Sequence, residues 1–248
     1  MKILVCISSV PDTTSKINFT ADKSAFDKNG IQWVINPLDE FALTKAIKLQ
    51  ESQGATVTVV NVGDAGTEAV IRKALAIGAN DAVRVNTEAK DSFSVAKEIA
   101  KIAQDGGYDL ILTGKESIDY NGGAVPGMVA QLLNYAFVNA AVGLDVNGSE
   151  ATAVREIEGG KETISVKLPA VVAGQKGLVD EKDLIIPNMR GIMSARTKPL
   201  NVVEPSNSEV KVEAVSFDSV APRAAVKLVS ADNLDELVRL LHEEAKVI

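Results

Sequence analysis

The period of the hydrophobic positions changes several times along the chain, and each change marks an element. Residues 2–9, KILVCISS, form an apolar and β-branched run closed by Pro11 and Asp12, the pattern of a buried strand. Asn36 before Pro37 predicts a helix start: an Asx cap, proline in the first turn, and Asp39 and Glu40 at the positive end of the dipole. Phe41, Ala42, Ala46, Ile47 and Leu49 then recur at helical spacing until Gly54 supplies a stop. TVTVVNVG (56–63) predicts the next strand, followed by a turn from Gly63 to Gly66, a helix to about Ile77 and a strand near 82–85. A helix over about 92–103, the strand DLILTG (109–114), a loop and a helix over about 123–133 complete the alternation.

Strands and helices in this order predict an α/β fold, an open parallel sheet with helices on both faces. Ligands of such sheets lie beyond the carboxyl ends of the strands, where the strand order switches, so the candidate loops follow Ser8, Val62 and Thr113. From about residue 140 the runs shorten, and ATAVREIE and KETISVKL flank Gly159 and Gly160 as a hairpin. LPAVVAG follows as a buried strand. Residues 175–223 contain Pro187, Pro199, Pro205 and Pro222 and no amphipathic helix, which predicts an arm made for a partner. The terminal run AVKLVSADNLDELVRLLHEEAKVI predicts a helix capped by Ser230, its stripe of Leu234, Leu237, Val238 and Leu241 facing either its own domain or another chain. The expected division is therefore 1–174 and 175–248.

Composition narrows the function. With 26 basic and 33 acidic residues in 248, a net charge of -7 and no long run of one sign, the chain has no electrostatic footprint for nucleic acid or an anionic membrane. At 4% aromatic it also lacks base-stacking platforms. One cysteine and one histidine exclude an intrachain disulfide and a zinc site. The first residues lack the length and cleavage site of a signal peptide, and no run approaches the roughly 20 apolar residues of a membrane helix, so no membrane insertion and a cytoplasmic location are expected.

A conventional active site is hard to assemble from these residues. His242 sits among Glu243 and Glu244 as a solvated side chain, and Cys6, inside an apolar strand, reads as a small core residue. No catalytic residue is assigned. ILTGKESIDYNGGAVPGMVAQLL carries more information, because a strand passes through a glycine-rich loop into a helix, where backbone N–H groups suit a phosphate and Lys115 adds charge. The same pattern also fits an ordinary βα loop. There is neither a GxGxxG fingerprint nor a GxxxxGK[ST] loop, which disfavours a standard NAD site and phosphoryl transfer. In PNMRGIMSARTKPL (187–200), Met189, Ile192 and Met193 interleave with Arg190, Arg196 and Lys198, fitting either an adaptable protein contact or a loop folded on its own core.

From VREIEGGKETISVKLPAVVAG to RGIMSARTKPL the sequence resembles the beta subunit of electron transfer flavoproteins. The likeness extends back through KILVCISSVPDT, VINPLDEFALTKAI, IRKALAIGAND and LILTGKESID, covering nearly the whole chain in order. The resemblance implies a doubly wound, mostly parallel sheet of the adenine-nucleotide alpha-hydrolase-like kind, with a β-hairpin addition and an extended C-terminal arm. It implies a heterodimer with an alpha subunit that holds FAD, accepting electrons from flavin-dependent dehydrogenases such as acyl-CoA dehydrogenases, while the beta subunit binds a structural AMP. The family's AMP contacts fall on Cys6, on Asn36, Pro37, Leu38 and Asp39, on Val62, and on Gly114, Lys115, Asp119, Asn121, Gly122, Gly123, Ala124 and Val125. Its partner-recognition loop falls on Met189, Arg190, Ile192 and Met193, with Met189 in place of the usual leucine anchor.

Two segments depart from the family pattern. The stretch before Met189 lacks Glu-Pro-Arg-Tyr, and YNGGAVPGM (120–128) lacks the Gln-Thr-Gly of the nucleotide loop. It also lacks the DGDTAQVGP-like loop of electron-bifurcating relatives, which hold a second FAD in place of AMP, so AMP and simple electron carriage are expected. The competing readings are that bifurcating subunit, a stand-alone ATP-binding sensor of the universal-stress type, and an adenylating enzyme, for which SSVPDT has no glycine.

Overall fold

The computed structural model describes residues 1–248 apart from Asn207 and Ala224. In chain order the elements are β1 (Lys2–Cys6), β2 (Ser9–Pro11), β3 (Trp33–Ile35), α1 (Pro37–Gln53), β4 (Thr56–Val62), α2 (Glu68–Ile77), β5 (Asp81–Val85), α3 (Ser92–Gly106) and β6 (Leu110–Gly114). They continue with α4 (Val125–Leu133), β7 (Ala136–Asn147), β8 (Glu150–Ile157), β9 (Gly160–Lys167), β10 (Ala170–Gly174), α5 (Met189–Ala195), β11 (Leu200–Val203) and α6 (Leu234–Arg239).

Nine strands form one sheet in the order β11-β5-β4-β1-β6-β10-β7-β8-β9. The run from β11 to β7 is parallel, and β8 runs against its neighbours β7 and β9. From β1 the chain winds outward to β4 and β5 on one side, then returns to β6 on the other, so the strand order switches between β1 and β6. Side chains alternate along the strands into two cores. Ile3, Val5, Val57, Val59, Leu110 and Leu112 meet Leu43, Ala46, Ile71 and Leu75 of α1 and α2. Leu4, Cys6, Val60 and Ile111 meet Ala96, Ile99, Val129 and Ala130 of α3 and α4. The fold is thus the expected doubly wound α/β sheet, its central strands apolar on both faces because both are covered.

Several local signals hold. Gly54 ends α1 in the left-handed region at φ 67°, its N–H donating to the Gln50 carbonyl. Gly159, at φ 82°, makes the turn of the β8–β9 hairpin. Other expectations need correction. KILVCISS is divided: β1 stops at Cys6, and Ser9–Pro11 pairs antiparallel with Trp33–Ile35 as a separate two-stranded ribbon. β7 lies where no clear strand was expected, because a bulge between Ala141 and Gly143 and Ala140 at φ 55° break its alternation. The segment after residue 174 is not without structure, since α5 forms within it and β11 adds a parallel edge strand beside β5.

Two compact units divide the chain: Met1–Ile17 with Lys28–Val215, and Asn18–Asp27 with Ser216–Ile248. Residues 175–215, grouped by the sequence with the arm, therefore belong to the large unit. There, Ser206, Ser208, Lys211 and Val212 are strapped to α3: the Asp91 carboxylate accepts from Ser94 N at 2.8 Å as the helix cap and from Lys211 N at 2.7 Å and Val212 N at 3.0 Å, and buried Glu98 accepts from Ser206 and Ser208. Asp91→Ala is expected to cost about 0.5–2 kcal/mol through the lost cap. It should also open the chain near Lys211 to protease; unchanged cleavage would show that Glu98 alone holds the strap.

In the small unit, Phe19 stacks on Phe217 with ring centroids 5.3 Å apart and Lys23 pairs with Asp218 at 2.5 Å. The cap of α6 is Asn233, accepting from Glu236 N at 3.3 Å, and not Ser230, whose carbonyl accepts from Asn233 N one turn earlier. A π turn, Leu240–Ala245, continues α6. His242 is exposed as expected, with Nδ1 2.9 Å from the Ile248 carbonyl.

Candidate functional site

The ends of β1 and β6 meet the start of α1 at the switch point. Asn36, fully buried, donates its backbone N–H to the Ser8 carbonyl at 2.9 Å, and its own carbonyl accepts from Asp39 N at 2.9 Å. Its side chain does not cap α1, contrary to the Asx cap expected. It reaches instead to the loop after β6, where Nδ2 donates to the Glu116 carbonyl at 2.9 Å and Oδ1 accepts from Ile118 N at 3.3 Å. Pro37 in the first turn supplies the fixed φ that starts the helix.

Asp39 completes the junction. One carboxylate oxygen accepts from Ser8 N at 2.8 Å and the other from Gly114 N at 2.8 Å, tying the carboxyl ends of β1 and β6 to α1. Glu40, in the first turn of α1 as expected, also makes an ion pair with Lys73 at 2.7 Å. Burial pushes the Asp39 carboxyl up to about 7, while the N–H groups of Ser8 and Gly114 and the Asn36 side chain pull it down. Gly114 is required here by close approach, since a Cβ would sit 2.5 Å from Asp39 Oδ1 and 2.8 Å from Leu38 Cβ.

The loop after β6 folds on itself. Ser117 N donates to the Gly122 carbonyl at 3.2 Å, Asp119 accepts from Tyr120 N at 2.9 Å and from the Ser117 hydroxyl, and Asn121 turns the chain in the left-handed region at φ 49°. Lys115 N donates to the Gly174 carbonyl of β10 at 2.8 Å. Gly122 has open space where a side chain would be, Gly123 passes close to the Lys115 carbonyl, and no side chain caps Ala124–Val125 at the start of α4. The backbone N–H groups of that helix start are the donors this loop offers to an anion.

On the other side of β1, Ile7 N donates to the Val60 carbonyl at 3.0 Å, and the buried Asn61 amide donates to the Ile7 carbonyl at 2.9 Å, placing Val62 at the β4 end of the same edge. The sequence reading missed Asn61, although a lone amide in TVTVVNV was a visible signal. Cys6 is buried and its thiol is held well above the ordinary value by burial and by the nearby Asp39 carboxylate, as suits a core residue. Among the described residues, no group of three or more His, Cys, Asp or Glu is placed to hold a metal, and no helix is long and apolar enough to cross a membrane.

A family model described as the electron transfer flavoprotein domain matches residues 24–208. The chain belongs to the electron transfer flavoprotein family. It is 35% identical to the electron transfer flavoprotein subunit beta of Bacillus subtilis, with the whole of both chains covered. It is 34% identical to that of Syntrophomonas wolfei, over 91% of this chain and 88% of the relative. Against the Homo sapiens subunit beta the identity is 30%, over all of this chain and 99% of the human one. The beta-subunit assignment and the α/β fold of the family are thus those the sequence led us to expect, and the role of the chain is that of an electron transfer flavoprotein subunit.

Within this family frame, Cys6, Asn36, Pro37, Leu38, Asp39, Val62 and Gly114 belong to the strand-end junction, and Lys115 to Val125 form the loop leading from it. Met189, Arg190, Ile192 and Met193 lie on α5, which packs against α2 on another part of the fold. Met189 is 73% exposed and Met193 66%.

Proposed function

We propose that this chain is the beta subunit of a heterodimeric, cytoplasmic electron transfer flavoprotein that binds one AMP and helps seat the FAD of its alpha subunit. The observation that carries the reading is the double bridge from α1: Asp39 to Ser8 and Gly114, Asn36 to Glu116 and Ile118. It prepares the strand ends and the glycine loop at the place where α/β sheets bind nucleotides. Cys6, Asn36 to Asp39 and Val62 would line the nucleoside, and Gly114, Lys115, Asp119, Asn121, Gly122, Gly123, Ala124 and Val125 would enclose the phosphate. Gly122, Gly123 and Ala124 have no polar side chain, so the anion would be held mainly by backbone N–H groups and the start of α4. FAD, when bound in the pair, supplies the redox chemistry; this chain supplies distance, enclosure and docking.

The exposed apolar side chains of α5 support docking to flavin-dependent dehydrogenases, with Met189 as a flexible anchor. The exposed Val212, Val215, Val220, Val226 and Leu228 support an arm that covers an alpha subunit. The test is mass spectrometry of the nucleotides released when the native complex is denatured. One AMP and one FAD per heterodimer are expected. Two FAD would mean a bifurcating subunit, and ATP without flavin or a second subunit would mean a sensor. Met189→Ala is expected to slow electron uptake from an acyl-CoA dehydrogenase with FAD content unchanged; loss of FAD instead would make α5 structural.

A further inference from the structure

The helix proposed to meet the dehydrogenase has seven residues and buries Ala195 alone among them. A helix this short does not persist by its own hydrogen bonds. Its shape must come from what it leans on, which is α2. Gly191 lies against the end of α2 so closely that a Cβ would sit 2.4 Å from the Ala76 carbonyl oxygen. Beside this line of contact lies a cavity of about 580 Å3, lined by Arg72, Lys73 and Ala76 of α2 and by Pro187, Ile192 and Ala195.

Two cations add to this attachment. Arg72, on α2, donates from Nη1 to the Ala195 and Lys198 carbonyls, both at 2.9 Å, at the C-terminal end of α5. Lys198, just past α5, donates from Nζ to the Leu75 carbonyl at 2.9 Å and the Ala79 carbonyl at 2.6 Å, at the C-terminal end of α2. Each cation thus satisfies carbonyls at the end of the other helix, where the dipole favours positive charge. Glu68, one turn before Arg72, holds the guanidinium in place at 3.3 Å.

We propose that Arg72 and Lys198 are positioning residues that clamp α5 to α2, so that Met189, Ile192 and Met193 are presented to the donor dehydrogenase in an ordered helix. The clamp rests on the reading of α5 as the docking segment. Its benefit is kinetic and entropic: a helix already formed has less freedom to lose when the partner binds.

The test uses the complete heterodimer with Arg72→Met, Lys198→Met and the rescue variant Lys198→Arg. Amide hydrogen exchange over 189–196 should accelerate about tenfold or more in the two methionine variants, the effect of losing charge-assisted bonds. Their KM for a purified acyl-CoA dehydrogenase pair should rise several-fold, with kcat and FAD content unchanged, and Lys198→Arg should restore both readouts. Unchanged exchange overturns the clamp, as does faster exchange with unchanged KM while Met189→Ala raises KM. If Met189→Ala also leaves KM unchanged, the docking reading fails, and the positioning role fails with it.

Discussion

Gly114→Ala should lower both stability and nucleotide content more than any other single methyl group added to the site. The new Cβ would lie 2.5 Å from Asp39 Oδ1, 2.8 Å from Leu38 Cβ and 3.0 Å from the Leu38 backbone carbon. None of these can swing aside. The carboxylate is held by two backbone N–H groups, and the Leu38 backbone is part of a helix whose Ala42, Leu43 and Ala46 are fully buried. Either α1 or β6 must shift, at about 1–3 kcal/mol for overpacking plus about 1–3 kcal/mol if an N–H to Asp39 is lost. In a chain of this size that lowers Tm by roughly 5–15 °C. Gly122→Ala is the control, since a Cβ there meets nothing within 4 Å and should change stability by less than about 0.5 kcal/mol. Equal melting temperatures for the two variants would mean that the junction at Gly114 is not tightly packed.

Asp39→Asn should change how stability depends on pH. Burial raises the folded-state carboxyl from 3.8 to about 7, so between these values the folded protein holds a proton that the unfolded chain has released. Stability then falls as pH rises through that window, by on the order of 4 kcal/mol for a full shift of this size, and levels off above it. Asparagine does not titrate, so this part of the slope should vanish. In exchange its NH2 faces one of the two backbone N–H groups, a loss of about 1–3 kcal/mol. Urea unfolding from pH 4 to pH 8 should therefore find the variant less stable than the parent at the acid end, with the gap closing as pH rises and reversing by pH 8. A gap that stays constant across this range would show that Asp39 titrates in the folded protein as it does in water.

Both expectations turn on side chains that the sequence could nominate but not aim. Asn36-Pro37 correctly marked the start of α1 and Gly54 its end, because capping and stopping are decided by a few neighbouring residues. The same Asn36 was assigned to the wrong bond. Its local option, an Asx cap, competes with the Glu116 carbonyl and Ile118 N–H some eighty residues away, and the buried junction favours the distant pair. Continuous apolar runs identified the central strands and alternation the β8–β9 hairpin, yet β7 was obscured by its bulge. α5 and β11 were missed for a related reason: neither carries enough local pattern, and each exists because a neighbour receives it, α2 in one case and the open edge of β5 in the other.

The sequence by itself determined the α/β class and the order of the main elements, since these follow from periodicity and turn residues, and its likeness to known chains along nearly the whole length gave the family. Tertiary structure alone decided that Asp39 would join two strand ends, that Gly114 would admit no side chain, and that Arg72 and Lys198 would exchange helix ends. Those outcomes depend on which carbonyls and N–H groups remain unpaired once the sheet has closed, and a buried polar group takes the partner that packing brings within reach, however far away it lies in the chain.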